Sequence, residues 1–354
     1  MQDFLVQHSY LVGILSFALG ALFMPIVLRI AKAKGFVVRP NKRMSHEGEI
    51  PNIGGLNICF SFMLTYLLFT PIDQNHFFLI GLFIIMVVGF IDDVLILRPM
   101  AKLIGESLAG IALIGFADLR ITHLHGLFGI GEIEVVASYL LSLFVLLAII
   151  NAINLIDGID GLASGLGILY CLFFAFYFGL AGEGLWSNTA VAMIGVLAVF
   201  FIYNVFGKRD KIFMGDSGSL LLGYLLTAFV FHFCEINAYE AVPEWLHMEA
   251  APAVAICVLT IPLFDMLRVG ITRIKQHRSP FEPDKNHIHH LLLRAGLNHI
   301  QTTCVILCVS ALFIGLGLLG RNWNIWILLT ADFGLATAMT LILWRIINKK
   351  IYAC

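Results

Sequence analysis

The sequence predicts an all-α polytopic membrane protein with about eleven transmembrane helices. The chain of 354 residues is 60% hydrophobic and only 13% charged, whereas soluble domains are typically about 45–50% apolar and about 25% charged. Apolar runs recur along the whole chain at about the 20-residue length that a bilayer span needs. With a mean hydropathy of +0.92, no segment fits a separate soluble domain, so residues 1–354 are interpreted as one integral membrane domain.

Each predicted span is an apolar run bounded by polar or turn residues. The third run is short for a span. The first is too long for a signal peptide, so we interpret it as a retained helix. Interior prolines are compatible with membrane helices, because neighbouring groups satisfy the backbone groups that proline leaves free. The predicted spans are residues 8–30, 52–70, 76–91, 101–117, 136–153, 162–181, 188–206, 218–235, 251–270, 301–319 and 324–344.

The basic residues predict an orientation, because Lys and Arg are enriched on the cytoplasmic side of membrane proteins. If the N-terminus lies outside, only Arg120 and Arg321 of the 22 Lys and Arg residues fall on the outer face. An odd number of spans preserves this asymmetry and places the C-terminus in the cytoplasm. The expected partner of the surface is therefore the lipid bilayer, and no nucleic-acid partner is expected.

A polar motif, Asn154-Leu-Ile-Asp157-Gly-Ile-Asp160-Gly161, directly follows a long apolar run. On a helix, Asn154, Asp157 and Asp160 would fall within about a third of the circumference. Gly158 and Gly161 would let a ligand or another backbone approach closely. Charges at the end of a membrane span cost energy and therefore mark candidate functional sites. A polar loop between two spans is the alternative interpretation.

Two further carboxylate motifs lie at span ends on the predicted cytoplasmic face. Asp92 and Asp93 are adjacent, and such carboxylates repel each other unless a cation or a proton separates them. Asp216 lies between two glycines at the start of a span, where a helix N-terminus could face a phosphate. Helix capping by Asp216 or Ser217 is the alternative there.

Basic and histidine-rich segments occupy the two longest cytoplasmic loops. The first loop contains His46 among several Lys and Arg residues and ends at Gly54-Gly55, a helix start that suits an anion. The second contains Lys285 and the sequence His287-Ile-His289-His290. Zinc is one interpretation of these histidines, but no thiol lies nearby and the other motifs are rich in carboxylates. We expect the imidazoles and Lys285 to hold phosphate oxygens.

Together the motifs predict metal-dependent phosphoryl or phosphosugar transfer at the cytoplasmic membrane surface. Hard carboxylate oxygens favour Mg²⁺, with Mn²⁺ as the alternative, and Mg²⁺ is usually held by one or two carboxylates plus substrate phosphates. A transporter is the competing hypothesis. Transporter sites lie near the bilayer midplane. Here the motifs lie at one edge of the membrane, and Glu106 and Asp332 are the main charges within the spans.

Four motifs in chain order resemble the polyprenyl-phosphate N-acetylhexosamine-1-phosphate transferases, of the glycosyltransferase 4 type. The resemblance runs from about residue 29 to 300. Residues 39–55 and 279–290 are most similar to the undecaprenyl-phosphate N-acetylglucosamine-1-phosphate transferase branch. The muramyl-pentapeptide branch typically has a Lys near the position of His46 and three consecutive histidines, a run that Ile288 interrupts here. The motifs are Asp92-Asp93, Asn154-x-x-Asp157-Gly-x-Asp160-Gly161, Phe213-Met-Gly-Asp216-Ser-Gly-Ser and His287-Ile-His289-His290.

The resemblance implies transfer of N-acetylglucosamine 1-phosphate from UDP-N-acetylglucosamine to undecaprenyl phosphate, with release of UMP. The lipid-linked product would start a cell-envelope glycan, and the enzyme would be a multi-pass protein of the bacterial inner membrane. The alternative donors are another UDP-N-acetylhexosamine and UDP-N-acetylmuramyl pentapeptide. A homodimer is compatible with this assignment.

The resemblance also implies roles for residues. Phe213 would stack on uracil, and Asn204 would contact the base, although its spacing from Asp216 is about two residues longer than in the pentapeptide branch. The implied catalytic residues are Asp92, Asp93, Asp157 and Asp160. The implied metal ligands are Asp216, Asn154 and Asp93. The implied substrate-binding residues are His46, Asn154, Asn204, Phe213, Lys285, His287, His289 and His290.

Our hypothesis for the mechanism is direct attack by the lipid phosphate, with Asp92 or Asp93 as proton acceptor. The main obstacle is repulsion between two anionic phosphates, which a metal ion and basic side chains would neutralise. Double displacement through an Asp nucleophile is the alternative.

Overall fold

The computed structural model describes residues 8–38, 49–69, 72–239, 241–279 and 286–351, and these ranges are mostly helical. Helices α4 and α7 continue into π-helical turns over Ala112–Phe116 and Ile202–Phe206. The described α-helices are α1 (Ser9–Lys34), α2 (Gly54–Phe69), α3 (Ile72–Leu95), α4 (Pro99–Ile111), α5 (Val135–Ile156), α6 (Leu162–Leu180), α7 (Gly184–Phe201), α8 (Gly215–Ala238), α9 (Ala251–Val258), α10 (Thr260–Lys275), α11 (Ile288–Arg294), α12 (His299–Leu319) and α13 (Ile325–Ile351).

The architecture is that of a polytopic membrane protein, as predicted. Within the described ranges, nine helices are long and apolar enough to span a membrane, or ten if the pair α9 and α10 forms one bent span. Helix α2 is apolar but has only 16 residues, about 24 Å at a rise of about 1.5 Å per residue, against about 30 Å of hydrocarbon. Every predicted span coincides with one of these helices, and the total of eleven crossings stays a prediction.

Several helices extend beyond the apolar runs and carry polar motifs with them. Helix α3 continues through Asp92 and Asp93 to Leu95, so the third span is longer than predicted. Helix α5 continues through Asn154 to Ile156. A helix satisfies its own backbone groups, which favours continuing it at the membrane edge over opening the chain. The polar side chains are therefore held on rigid helix ends.

Helix α8 is the centre of the bundle. In its most apolar window, 89% of the residues are buried, and α3, α5 and α2 pack around it. At its far end, Glu235 accepts hydrogen bonds from Thr122 N (2.8 Å) and Thr122 Oγ1 (2.6 Å), which tie the loop after α4 to the helix. These bonds fix the far end of the helix, and its opposite end begins at Gly215, beside Asp216.

Helices α9 and α10 form a broken helix with a bend of 79°. The break falls at Leu259, and the first residue of α10 donates from Thr260 Oγ1 to Asp332 Oδ1 of α13 at 2.7 Å. Asp332 is fully buried. This mid-span carboxylate therefore hydrogen-bonds at the helix break.

A short antiparallel pair, β1 (Val37–Val38) with β2 (Ile50–Pro51), departs from the all-helical prediction. Val37 pairs with Pro51 and Val38 with Ile50. The pair lies just before α2 and places Pro51 next to Phe213, in the segment before α8.

Candidate active site

Backbone hydrogen bonds at one end of the bundle join the start of α2 to the segment before α8. Phe213 N donates to Pro51 O (2.8 Å), Gly54 N to Phe213 O (3.0 Å) and Gly55 N to Met214 O (2.8 Å). These amides are therefore taken by carbonyls and are not left free for the anion that the Gly-Gly helix start suggested. They act instead to fix the position of the motif that carries Asp216.

Asp93 caps the first turn of α8 from the neighbouring helix α3. Its Oδ1 accepts from Asp216 N at 2.7 Å, and its Oδ2 accepts from Ser217 N at 3.1 Å and Ser217 Oγ at 2.7 Å. Asn52 Nδ2 also donates to the backbone oxygen of Asp93 at 3.2 Å. The start of α8 is thus capped, as one interpretation of the sequence expected, but by Asp93 and not by Asp216 or Ser217.

Lys102 lies at the centre of the carboxylate cluster. Its Nζ is 3.0 Å from Asp92 Oδ2 and 2.9 Å from Asp216 Oδ1, and it donates to Asn154 Oδ1 at 3.1 Å. Asn154 also donates to Asp216 Oδ1, and Leu97 N donates to Asp92 Oδ1 at 2.7 Å. Residues from α3, α5 and α8 therefore converge on Lys102 of α4.

The sequence analysis counted Lys102 only among the cytoplasmic basic residues and missed its place in the site. Lys102 and Glu106 are the charged residues of α4, four positions apart in an otherwise apolar helix. That spacing puts them on one helix face, and charges inside a span are functional candidates. Glu106 is fully buried and accepts from Asn151 Nδ2 at 2.8 Å, behind the cluster.

Asp157 has no hydrogen-bond partner for its carboxylate among the described residues. It follows the end of α5, on the same motif as Asn154. Burial raises the pKa of Asp157 to about 7, and the negative charges of Asp216, Asp93 and Asp160 raise it further in the same direction. This carboxylate is therefore open to a proton, a cation or a substrate group.

Asp160 belongs to a second polar cluster. Its Oδ2 is 2.7 Å from Lys211 Nζ and 3.1 Å from His299 Nδ1, and its backbone oxygen accepts from Thr303 Oγ1 at 2.9 Å. Burial alone would raise the pKa of Asp160, but the hydrogen bonds from His299 and Lys211 outweigh it and hold the pKa below the ordinary value. Lys211 Nζ lies 5.8 Å from the ring centre of Phe213, so the ring predicted to stack on uracil borders this cluster.

Asn204 joins the two segments that carry Asp160 and Lys211 of the second cluster. Its Oδ1 accepts from Gly161 N at 2.6 Å, and its Nδ2 donates to Ile212 O at 2.8 Å. The side chain is buried in the π-helical turn after α7. The described structure therefore places Asn204 as a clamp between residues 161 and 212, whereas its predicted contact with the nucleotide base stays a prediction.

The histidine segment is held by hydrogen bonds to a buried carboxylate, that of Asp265. Asp265 of α10 accepts from Arg268 Nη2 at 2.7 Å and from Ile288 N at 2.9 Å. Its Oδ2 is 2.8 Å from His287 Nδ1. His287 is thus oriented by Asp265, and its contact with a phosphate stays a prediction.

His289 packs under the Asn154–Gly161 motif, where a side chain at Gly158 would collide with the imidazole. The ring is buried, and its Nδ1 has no hydrogen-bond partner among the described residues. Burial lowers the pKa of His289 to about 3, with the charge of His290 contributing in the same direction. His290 lies 4.2 Å from it, ring centre to ring centre. His289 is therefore a neutral ring, and His290 is the less buried of the two.

Two predicted substrate-binding residues, His46 and Lys285, lie outside the described residues. The remaining predicted residues all belong to the groups described above, around Lys102, Asp160 and Asp265 or at the start of α8. Lys102, Lys211, His299 and Asp265 are the members that the sequence analysis did not propose for the site.

The chemistry of the site follows from its charges. Asp92 and Asp216 contact the Lys102 ammonium, and the carboxylates of Asp93 and Asp157 are close enough to Asp216 for their charges to interact with it. Four negative charges and one positive charge favour the approach of a further cation. Within the described ranges, no group of three or more His, Cys, Asp or Glu side chains is arranged to hold a metal ion. The donors fit an ion that takes most of its ligands from phosphates.

Fold and site together define a polytopic membrane protein with a carboxylate cluster around Lys102 at the ends of several helices. A family model described as glycosyl transferase family 4 matches residues 76–233, a range that contains the cluster from Asp92 to Asp216. Similarity to curated proteins extends over most of the chain. The chain belongs to glycosyl transferase family 4, and it is therefore a transferase and not a transporter.

Three relatives share the name undecaprenyl-phosphate alpha-N-acetylglucosaminyl 1-phosphate transferase. The protein from Yersinia pestis is 31% identical over 333 residues, which cover 90% of this chain and 86% of the relative. The protein from Escherichia coli K12 is 31% identical over 86% of this chain and 82% of its own length. The protein from Haemophilus influenzae is 30% identical over 89% and 88%, respectively.

Proposed function

We propose that this protein transfers N-acetylglucosamine 1-phosphate from UDP-N-acetylglucosamine to undecaprenyl phosphate and releases UMP. The observation that carries the proposal is the convergence of Asp92, Asp216 and Asn154 on one cation, Lys102, in a chain whose relatives are named for this transfer. A reaction that joins two phosphates needs positive charge between them. The lipid-linked product would start a cell-envelope glycan.

The proposal places the site on the cytoplasmic face of the bacterial inner membrane. Eleven crossings with the N-terminus outside put all but two of the 22 Lys and Arg residues on that face. Single cysteines introduced near the two ends of α8 test the arrangement. The end beside Asp216 should react only from the cytoplasmic side, and labelling of that end from outside would overturn it.

The reaction that we propose is a direct displacement. A non-bridging oxygen of the lipid phosphate attacks the phosphorus that carries the sugar. The bond from that phosphorus to the bridging oxygen of the diphosphate breaks, and the oxygen leaves with UMP. If the lipid phosphate arrives protonated, its proton passes to a carboxylate of the protein.

The hydrogen bonding supports Asp157 as the proton acceptor over Asp92 and Asp93. Asp92 is paired with Lys102 and Leu97 N, and Asp93 is occupied by the first turn of α8. Asp157 keeps both carboxylate oxygens without a hydrogen-bond partner among the described residues. The pKa of about 7 also suits a general base at neutral pH.

The second cluster is suited to hold the nucleotide. Phe213 offers a half-buried ring beside Lys211, and Lys211 and His299 fix Asp160 at the same place. An aromatic face and oriented polar groups are the usual elements of such sites. We therefore propose that the uracil and ribose lie along Phe213 and Asp160, with the diphosphate towards Lys102.

Mg²⁺ is the proposed cofactor, with Mn²⁺ as the alternative. Asp216 would hold the ion with Asn154, since the Asp216 side chain is 30% exposed and both residues already direct oxygens at a cation. When bound, the ion would neutralise the diphosphate and stabilise charge on the leaving UMP. A homodimer is compatible with the proposal and is tested by the mass of the purified protein in detergent.

Purified protein with undecaprenyl phosphate, Mg²⁺ and a panel of UDP-sugars tests the function. Release of UMP and formation of lipid diphosphate sugar are scored for each donor. UDP-N-acetylglucosamine should be used, whereas preference for another UDP-N-acetylhexosamine or for UDP-N-acetylmuramyl pentapeptide would change the donor. No UMP from any donor would overturn the proposal. A trapped phospho-aspartyl protein would replace direct attack with double displacement.

A further inference from the structure

Helix α8 begins without a cap of its own. The first turn of a helix leaves four amides without intrahelical partners, and a Ser, Thr, Asn or Asp just before the helix usually accepts from them. Here Met214 occupies that position and makes no capping hydrogen bond. The helix begins beside the proposed metal ligand Asp216, so the way its first turn is fixed determines where that carboxylate lies.

Asp93 supplies the missing cap for two of these amides and for the Ser217 hydroxyl. Both of its carboxylate oxygens are used: Oδ1 by Asp216 N at 2.7 Å, and Oδ2 by Ser217 N at 3.1 Å and Ser217 Oγ at 2.7 Å. A negative carboxylate at a helix N-terminus also interacts favourably with the helix dipole. Three donors on two consecutive residues fix both the position and the rotation of the turn.

The surrounding backbone is shaped to admit this carboxylate. Gly215 has a φ of 72°, a conformation that favours glycine, and a Cβ at that position would lie 2.6 Å from Asp93 Oδ1 and 2.7 Å from Asp93 Oδ2. Gly89, one turn before Asp93 on α3, packs against the backbone of Ser217. The two glycines therefore allow α3 to approach α8 closely enough for Asp93 to reach the first turn.

The adjacent Asp92 has a different environment. Successive residues on a helix point about 100° apart, so Asp92 faces the central cluster, where its Oδ2 is 3.0 Å from Lys102 Nζ. Asp93 has no such contact with a basic side chain among the described residues. The two carboxylates of one motif thus face different groups.

We propose that Asp93 is a positioning residue, whose carboxylate caps α8 and fixes Asp216, and that it is neither a metal ligand nor the proton acceptor. The proposal rests on the proposed function for the role of Asp216, but the cap itself is independent of that function. Removing the cap displaces Asp216, whereas replacing the carboxylate with another acceptor preserves it. An Asn at this position keeps its oxygen for Asp216 N and can donate from its amide to the Ser217 hydroxyl, but it loses the hydrogen bond from Ser217 N.

The test compares Asp93→Asn, Asp93→Ala and Ser217→Ala in the full-length protein. For amide hydrogen exchange without divalent metal, we expect residues 214–219 to exchange at least tenfold faster in Asp93→Ala. Exchange should be intermediate in Asp93→Asn, which loses only the hydrogen bond from Ser217 N, and in Ser217→Ala, which loses only the hydroxyl contact. A pure metal ligand would leave this exchange unchanged in metal-free protein, and that result in Asp93→Ala would overturn the proposal.

Turnover gives the second measurement. Asp93→Asn should keep at least about a tenth of kcat and the Mg²⁺ concentration for half-maximal rate, whereas Asp93→Ala should lose about 100-fold, the loss typical of a misplaced catalytic group. Equal loss in both variants, or a raised Mg²⁺ requirement in Asp93→Asn, would show that the carboxylate acts chemically. If the unsubstituted protein turns over no donor, the proposed function fails, while the exchange experiment still decides the cap.

Discussion

The contact of Gly89 with the first turn of α8 gives a quantitative prediction. A Cβ at Gly89 would lie 2.5 Å from Ser217 Cα, 2.6 Å from Ser217 N and 2.7 Å from Asp216 O, whereas ordinary contacts begin at 3.4 Å. Since all three atoms are backbone, no side chain can turn aside, and Gly89→Ala must displace the turn by about 1 Å. Displacement of this size at a catalytic group costs about 100-fold in rate, and overpacking costs about 1–3 kcal/mol of stability.

The matched control is Gly315→Ala in α12, where an added Cβ meets nothing within 4 Å. Both glycines lie inside helices, so both variants gain up to about 1 kcal/mol of helix propensity, and their difference isolates the collision. Initial rates of UMP release and thermal unfolding midpoints in detergent measure the two effects. A Gly89→Ala protein with the rate and the midpoint of the control would refute the reasoning that α3 sets the position of Asp216.

Three further predictions concern the proposed site. Lys102→Met should lower kcat by about 10²–10³, because removing one stabilising charge has this effect; Lys102→Arg is the control, and an active Met variant would contradict its role. If Asp157 accepts a proton, the rate should fall as pH drops below its pKa of about 7, since the carboxylate is then protonated, and a rate independent of pH between 6 and 8 would exclude this. Asn204→Ala removes the hydrogen bonds with Gly161 N and Ile212 O. It should raise KM for the UDP-sugar about tenfold, because each lost bond leaves a buried group unsatisfied at a cost of about 1–3 kcal/mol. An unchanged KM would show that Asn204 does not position the nucleotide site.

Asp160 links the stability of the fold to pH. The folded-state pKa of Asp160 is below its ordinary value, so its contribution to stability is present above that ordinary value and is lost as pH falls through the folded-state pKa. The proposed nucleotide-binding cluster should therefore loosen in acid, together with the loss of the Lys211 and His299 contacts.

The sequence alone determined the membrane architecture and the members of the acidic motifs. Long apolar runs have few folded solutions in a bilayer, because every backbone group in lipid must be satisfied within a helix. The position of Asp92, Asp157 and Asp216 at span ends follows from the same pattern, and the order of the motifs was enough to predict the family to which the chain belongs.

Only the tertiary structure decided what each polar group contacts. Lys102 reaches Asp216 across 114 positions of sequence, and Asp93 caps a helix that begins 122 residues later. Neither contact has a local signature, because adjacent carboxylates and a basic residue at a span end have the same appearance in sequence whether they bind a substrate, a cation or another helix. Direction on the helix and the packing of α3 against α8 separate these roles, and both arise from contacts between distant segments.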